Sequence, residues 1–428
     1  YSLTATATDV AGNTSSSSSA LSIVVNQNLI TGDFEWAKLY GTNAEDYGYG
    51  FSIDKDGNIF ITGSTAGNLN GQINNGQSDA FIMKLDSNGN ELWTKLFGTS
   101  GYEASYEVKI EEDGSLFLTG FTSGNLNGQI NNGQNDAFIM KLDSNGNELW
   151  TKLFGSELKE TAYRIYSEEY IYLTGDTYVQ IISKGGGTLG KTKSFIIKLD
   201  KNGNEIWTKR YEGEFYEEVF SLAFDDNFIY TASEIGVNSG GHRYHSGNAS
   251  VSKIDSSGDV LWVKNFGENF ELEDIAYDIG ISEDGFIYVT GASESDLNGE
   301  INNGGADAFL MKLDKDGNEI WTKLYGTEKN EYGYQIRFRT DGYIFLTGGI
   351  QALDYSDEDG FLKKLDMDGN EIWTKFYGNA YWEQYEYPYV EKEGSSIYVS
   401  GYTLGDLADT KSNGSDDAIL MKFSDPIS

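Results

Sequence analysis

The chain has no cysteine, two prolines and two histidines among 428 residues, and five of its 31 basic residues are arginine. Without cysteine there is no disulfide framework, no thiolate zinc site and no cysteine nucleophile. The two histidines, His242 and His245, share one GGHRYH stretch. A pair three residues apart needs a helix and a third ligand to make a convincing metal site. A lyase working through one of them is the remaining enzymatic option, and the chain reads as a non-enzyme. No apolar run approaches the roughly 18 residues that cross a bilayer, so membrane insertion is not expected. The formal charge of −36 repels phosphate backbones and anionic lipid, which argues against nucleic acid and favours cationic ligands or divalent metal.

What is present is glycine (52) and aromatic residues (14% of the chain). Such a load fits a folded, β-rich protein better than a disordered one. Tryptophan recurs at Trp36, Trp93, Trp150, Trp207, Trp262, Trp321 and Trp373, with spacings of 52 to 59 residues. The text around it is nearly constant, as in KLDSNGNELWTKLFG at 84–98 and again at 141–155. An internal repeat of this kind is the first organising signal to read. In the first full copy, four strands A to D are expected near 49–53, 58–62, 80–85 and 91–97, because Asp-Gly and Asn-Gly turns between apolar runs mark hairpins. Strands B and C are apolar on both faces, as sheets packed between neighbours require.

A four-stranded antiparallel unit repeated radially is a propeller blade. The fold class is therefore all-β, a seven-bladed β-propeller. The repeat opens with a strand D (34–39) and ends with a strand C (418–423), so the N-terminal strand should complete the seventh blade and remove two free edges. The tryptophans are assigned a structural role between blades.

The motifs GNIFITG (57–63), DAFIMKLD (79–86) and NGNELW (88–93) resemble the bacterial seven-bladed SBBP repeat, over about residues 33–425. Blade four departs with TASE at 231–234, and blade three replaces Asp-Ala-Phe by Lys193-Ser194-Phe195. Residues 1–25, with the run TATDVAGN, resemble the last strands of bacterial immunoglobulin-like domains. The resemblance divides the chain into 1–28, an Ig-like end plus linker, and 29–428, the propeller. It also implies a secreted or cell-surface bacterial protein, with the propeller a monomeric module within a longer chain.

Short, regular A–B and C–D turns leave the longer D–A and B–C loops as the place for binding. Ten residues after the tryptophan comes an acid: Asp46, Glu103, Glu160, Glu217, Glu331 and Glu383, with Asp274 two residues later in its repeat. In six blades an aromatic follows three positions on. The acids either ring the channel mouth as a site for a divalent cation or accept backbone N–H bonds from their own loops. In the B–C loop 296–309, Asp296, Asn298, Glu300 and Asp307 are candidate calcium ligands, against a turn-rich loop bonding its own backbone. Tyr381, Trp382 and Tyr385 form an aromatic cluster suited to sugar stacking or to packing between blades. The expectation is a binding or adhesion module with a glycan or protein ligand on the D–A/B–C face and calcium as its candidate cofactor. A structural spacer is the rival reading.

Overall fold

The computed structural model describes residues 2–3, 21–22, 34–182, 188–211, 216–225, 227–236, 247–267, 272–351, 358–377, 383–390, 395–403, 411–412 and 416–425. From 34 onward these form seven antiparallel blades of four strands each, lettered A to D from the channel outward. Blade 1 consists of Asp46–Ile53, Ile59–Thr65, Asp79–Leu85 and Glu91–Phe97, and blade 2 of Glu103–Ile110, Leu116–Thr122, Asp136–Leu142 and Glu148–Phe154. Blade 3 has Lys159–Ser167, Ile171–Ile182, Thr188–Leu199 and Glu205–Arg210, and blade 4 has Tyr216–Phe224, Phe228–Gly236, Gly247–Asp255 and Val260–Phe266. Blade 5 has Asp274–Ile281, Ile287–Ser293, Asp307–Leu313 and Glu319–Tyr325, and blade 6 has Asn330–Arg339, Tyr343–Gln351, Glu358–Asp366 and Glu371–Tyr377. Blade 7 takes Glu383–Val390, Ser396–Thr403 and Asp417–Ser424 from one end of the propeller and Phe34–Tyr40 from the other. The ring is closed, because every strand A lies against the strands A of both neighbouring blades. Among the described residues the one helical element is a 3₁₀ turn, Leu126–Gly128. Of residues 1–28, only the pairing of Ser2–Leu3 with Leu21–Ser22 lies within the described residues, so the expected Ig-like end falls outside them.

In the first full copy strands A and C start earlier than the sequence predicts, strand B starts one residue later and strand D is as expected. Strand A of blade 1 opens at Asp46 and strand C at Asp79, so the acid and the D-A-F aspartate are the first residues of their strands. Strands B and C of this blade are buried along almost their whole length. Each large apolar side chain buried there contributes about 1.5–3 kcal/mol. Blade four keeps the same arrangement despite its altered text.

The repeated D-x-x-G-N turn follows from two local demands. Asp143 Oδ1 accepts the N–H groups of Asn145 and Asn147, and its Oδ2 accepts from Asn147 Nδ2. Gly146 then sits at φ +76°, the left-handed region that glycine adopts without cost from a Cβ. The same glycine abuts the preceding blade: a methyl on it would lie 2.8 Å from the ring of Trp93. Six of the seven repeat tryptophans thus pack between an aromatic of their own strand B, Phe60 for Trp93 at 6.0 Å, and the C–D turn of the next blade, while Trp373 keeps its strand-B partner Phe345 but faces blade 7, whose strands C and D are not joined by a turn. Tyr40 and Tyr325 reinforce two of these docks by donating to the carbonyls of Gly89 and Gly369.

Two glycines of nearly equal φ separate the backbone term from the docking term. Gly146→Ala should cost about 2–4 kcal/mol, because strain and a clash with Trp93 add. Gly128→Ala, at φ +78° with nothing within 4 Å, should cost about 1–2 kcal/mol. Urea unfolding of the two variants checks the difference.

Candidate functional site

Every strand A carries a one-residue bulge, and the same position bulges in all seven blades. A bulge re-aims a side chain and sharpens the local twist. The bulged residues are Tyr49, Tyr106, Tyr163, Phe220, Tyr277, Tyr334 and, in blade 7, Glu386. The six aromatics are the ones the sequence shows three positions after the acids, and the structure makes them neighbours. Ring centroids are 4.8 Å apart for Tyr49 and Tyr106, 5.1 Å for Tyr106 and Tyr163, 5.4 Å for Phe220 and Tyr277, and 5.5 Å for Tyr277 and Tyr334. They form a partly exposed aromatic collar on the innermost strands, widened by Tyr47 and Tyr402 at 5.0 Å from one another. Their recurrence three positions after six of the acids is the sequence signal for this surface, although spacing alone does not show that a bulge turns the rings together.

The acids themselves turn away from the channel. Asp46 Oδ2 accepts from the backbone N–H and hydroxyl of Thr42, at 2.5 and 2.8 Å. Glu103 accepts from the N–H and hydroxyl of Thr99 and from the hydroxyl of Thr122. Glu160 and Glu331 repeat the latch with Ser156 and Thr327. Asp274 is held by Ser293 and Ser295. All five are buried. These five therefore form loop latches and not a solvent-facing ring. The strand positions of Glu217 and Glu383 are described, and their side chains lie outside the described residues, as does that of Tyr385. Tyr381, Trp382, His242 and His245 also lie outside them.

The four candidate calcium ligands of blade 5 go to separate partners. Asp296 accepts the N–H of Asn302, Asn298 Nδ2 donates to the Thr322 hydroxyl, Asp307 accepts from Asn303, and Glu300 is exposed. Among the described residues no three Asp, Glu or His side chains are placed to hold a metal ion. What the loop builds instead is a rigid hook. Asn298, Asn70 and Asn127 adopt φ near +50° and pin their loops to strand D of the same blade. Leu69, Leu126 and Leu297 plug each hook into the core, while Ile73, Ile130 and Ile301 stand 70–72% exposed at its tip. These B–C loops pack against D–A loops: Gln77 N–H donates to the Gly101 carbonyl and Gln134 N–H to that of Leu158. Tyr102, in the D–A loop between blades 1 and 2, is also exposed.

Acidic groups gather near blades 3 to 5. Burial, then the charge of Glu218, pushes the Asp176 carboxyl up to about 8. Burial, then Glu294, Glu218 and Asp274, pushes Glu273 up to about 7. Farther along strand A, Asp278 accepts from the Ser221 hydroxyl, the Ile336 N–H and Arg337, linking three blades across the channel wall.

The family model described as SBBP, beta-propeller repeat, matches residues 35–70. The chain is a seven-bladed β-propeller carrying this repeat. Over 269 residues, 58% of the chain, it is 32% identical to the regulatory protein FlaEY of Caulobacter vibrioides, of which it covers 21%. Over 200 residues, 37% of the chain, it is 22% identical to an uncharacterized WD repeat-containing protein of Acanthamoeba polyphaga mimivirus, of which it covers 14%. The chain thus spans about a fifth or less of these relatives. Among solved structures, extracellular domains 1–2 of Drosophila semaphorin 1a align at TM-score 0.47 and 8% identity, covering 90% of this chain and 87% of that one. A Synechocystis apocarotenoid oxygenase mutant aligns at 0.43 and 9%, covering 93% and 96%.

The raised carboxyls set a pH dependence. A group that holds its proton to higher pH when folded stabilises the fold fully below its unfolded value, and the contribution is lost as pH rises through the folded value. For Asp176 that window runs from about 4 to about 8. The urea midpoint should fall as pH rises from 5 to 8, and Asp176→Asn should flatten that slope and raise the midpoint at pH 8.

Proposed function

We propose that the propeller is a non-catalytic binding module, an adhesion element of a secreted or surface bacterial protein, and that it takes a protein partner on the D–A/B–C face. The observation that carries this reading is the repeated hook. Three loops of nearly one sequence each spend a left-handed asparagine, an asparagine–threonine bond and a leucine plug to hold an isoleucine out in water. A solubility surface has no use for that tip, whereas a preorganised apolar tip loses little conformational entropy on binding. Tyr102 and the aromatic collar add side chains of the kind enriched at interfaces. The placement outside the cell rests on the resemblance of 1–25 to Ig-like modules and on the lack of cysteine.

The test compares residues 29–428 with the variant Ile73→Ser/Ile130→Ser/Ile301→Ser on immobilised peptide and glycan arrays. Saturable binding to peptides that weakens about tenfold or more in the variant, with the thermal midpoint unchanged, supports the reading. Binding confined to glycans moves the site to the aromatic collar. No saturable binding on either array leaves the spacer reading.

A further inference from the structure

At four blade junctions the residue that opens strand C meets the first acid of the next strand A. The contact is direct: Glu103 N–H donates to the Ser78 carbonyl, Glu160 N–H to that of Asn135, and Glu331 N–H to that of Ala306, each carbonyl belonging to the residue before a strand-C aspartate. Asp417 meets Asp46 in the same way where blade 7 joins blade 1, and at three further junctions two buried carboxylates come together beside a loop asparagine, Asp79 with Glu103, Asp136 with Glu160, and Asp307 with Glu331. The aspartates of these three junctions are 0% exposed, and in each the Oδ2 accepts from a loop asparagine while the Oδ1 is buried without any hydrogen-bond donor. That unpartnered oxygen is aimed at the Gly-Thr or Gly-Ser segment that latches the second acid: a methyl on Gly98 would lie 2.0 Å from Asp79 Oδ1, and the next residue, Thr99, binds Glu103.

Two buried carboxylates side by side need a cation or a proton. Two other junctions carry a different residue at the aspartate position. At the blade 3–4 junction Lys193 stands where the aspartate stands elsewhere, in register with Glu217. At the next, Asn248 replaces the aspartate opposite Asp274 and removes one charge. No lysine or arginine is among the groups acting on Asp79 or Asp136. A cavity of about 260 Å³, lined by Asn132, Gly155 and Glu160 and also by Arg210, opens at the second junction.

We propose that the Asp79/Glu103, Asp136/Glu160 and Asp307/Glu331 junctions each take a divalent cation of calcium's class, which ties neighbouring blades together. Carboxylate, hydroxyl and carbonyl oxygens in an irregular shell suit calcium better than magnesium, which demands a near-octahedral one. The proposal is independent of the partner on the loop face, since these sites are buried between blades.

The experiment uses residues 29–428 at pH 7.5 and fixed ionic strength, with calcium chloride against EDTA. Equilibrium dialysis should find at least three calcium ions per chain, and the thermal midpoint should rise by about 5 °C or more in calcium. Asp79→Lys, which copies the Lys193 junction, should fold, bind one ion fewer and respond less to calcium; Asp307→Asn offers the same loss at a second junction should the lysine disturb the fold. Equal midpoints in calcium and EDTA with no bound calcium would overturn the proposal and leave the pairs sharing a proton. Undiminished calcium uptake in both folded variants would overturn the placement of the ions.

Discussion

The way one blade meets the next is the constraint on which the rest of this molecule depends. A four-stranded sheet apolar on both faces is stable only when both faces are covered, and a ring of such sheets covers them all. The cover must be reproducible seven times with slightly different text. At six junctions the indole on strand D and the glycine of the next C–D turn supply that reproducibility, because a flat ring against a residue without a Cβ fixes distance and tilt together. Around this contact the tyrosine and lysine side chains of strand D reach the same turn, as Tyr40 and Lys38 do at Gly89 and Asn90. The outer half of each junction is thus apolar with a polar rim, and the inner half is carboxylate and hydroxyl.

That division explains where the negative charge sits. Part of it lies in the C–D turns, where Asp86, Asp143, Asp200 and Asp314 accept two or three N–H bonds each and are held below the ordinary carboxylate range by those bonds. Another part is inside, where Asp46, Asp79, Asp136 and Asp307 are pushed upward by burial. The same residue type is therefore stabilised in its charged form on one face and disfavoured in it on the other. A net charge cannot reveal this, since it sums groups whose environments pull in opposite directions.

The fold was legible in the sequence because its signals are local. The turn aspartate, the turn glycine and the tryptophan fall within eight residues, and the spacing of 52 to 59 repeats them seven times. The closing strand followed from counting. The sites were less legible, because side-chain direction at a strand's first residue depends on a bulge three residues later, and no residue type marks a bulge reliably. The acids fit a ring in the channel and a latch in the loop equally well on spacing alone. The Thr or Ser four residues before Asp46, Glu103, Glu160 and Glu331 was the distinguishing sign, since a hydroxyl and its N–H at that separation close a loop onto a carboxylate. The hooks illustrate the converse: reading NLNGQINNG as a turn-rich loop anticipated its internal hydrogen bonds and gave no hint that one isoleucine would be left outside.

The scaffold repeats, and its decoration does not. Blades 1, 2 and 5 carry the isoleucine hook, blade 3 extends strands B and C to 12 residues each, and blades 3 and 4 alter the junction acid. Since the bulge persists in every blade, including the one with Ala232 in place of the usual strand-B glycine, these differences do not arise from a failing scaffold. They are variation allowed by it. Each hook is pinned to strand D of its own blade while its base bonds to the next D–A loop, so the tip can vary blade by blade on a shared base. The hooks of blades 1 and 2 stand on adjacent sheets and that of blade 5 apart from them, which makes the face asymmetric although the ring is not. An extended partner lying across blades 1 and 2 would meet two equivalent tips one repeat apart, and so would itself present two similar apolar sites at that spacing.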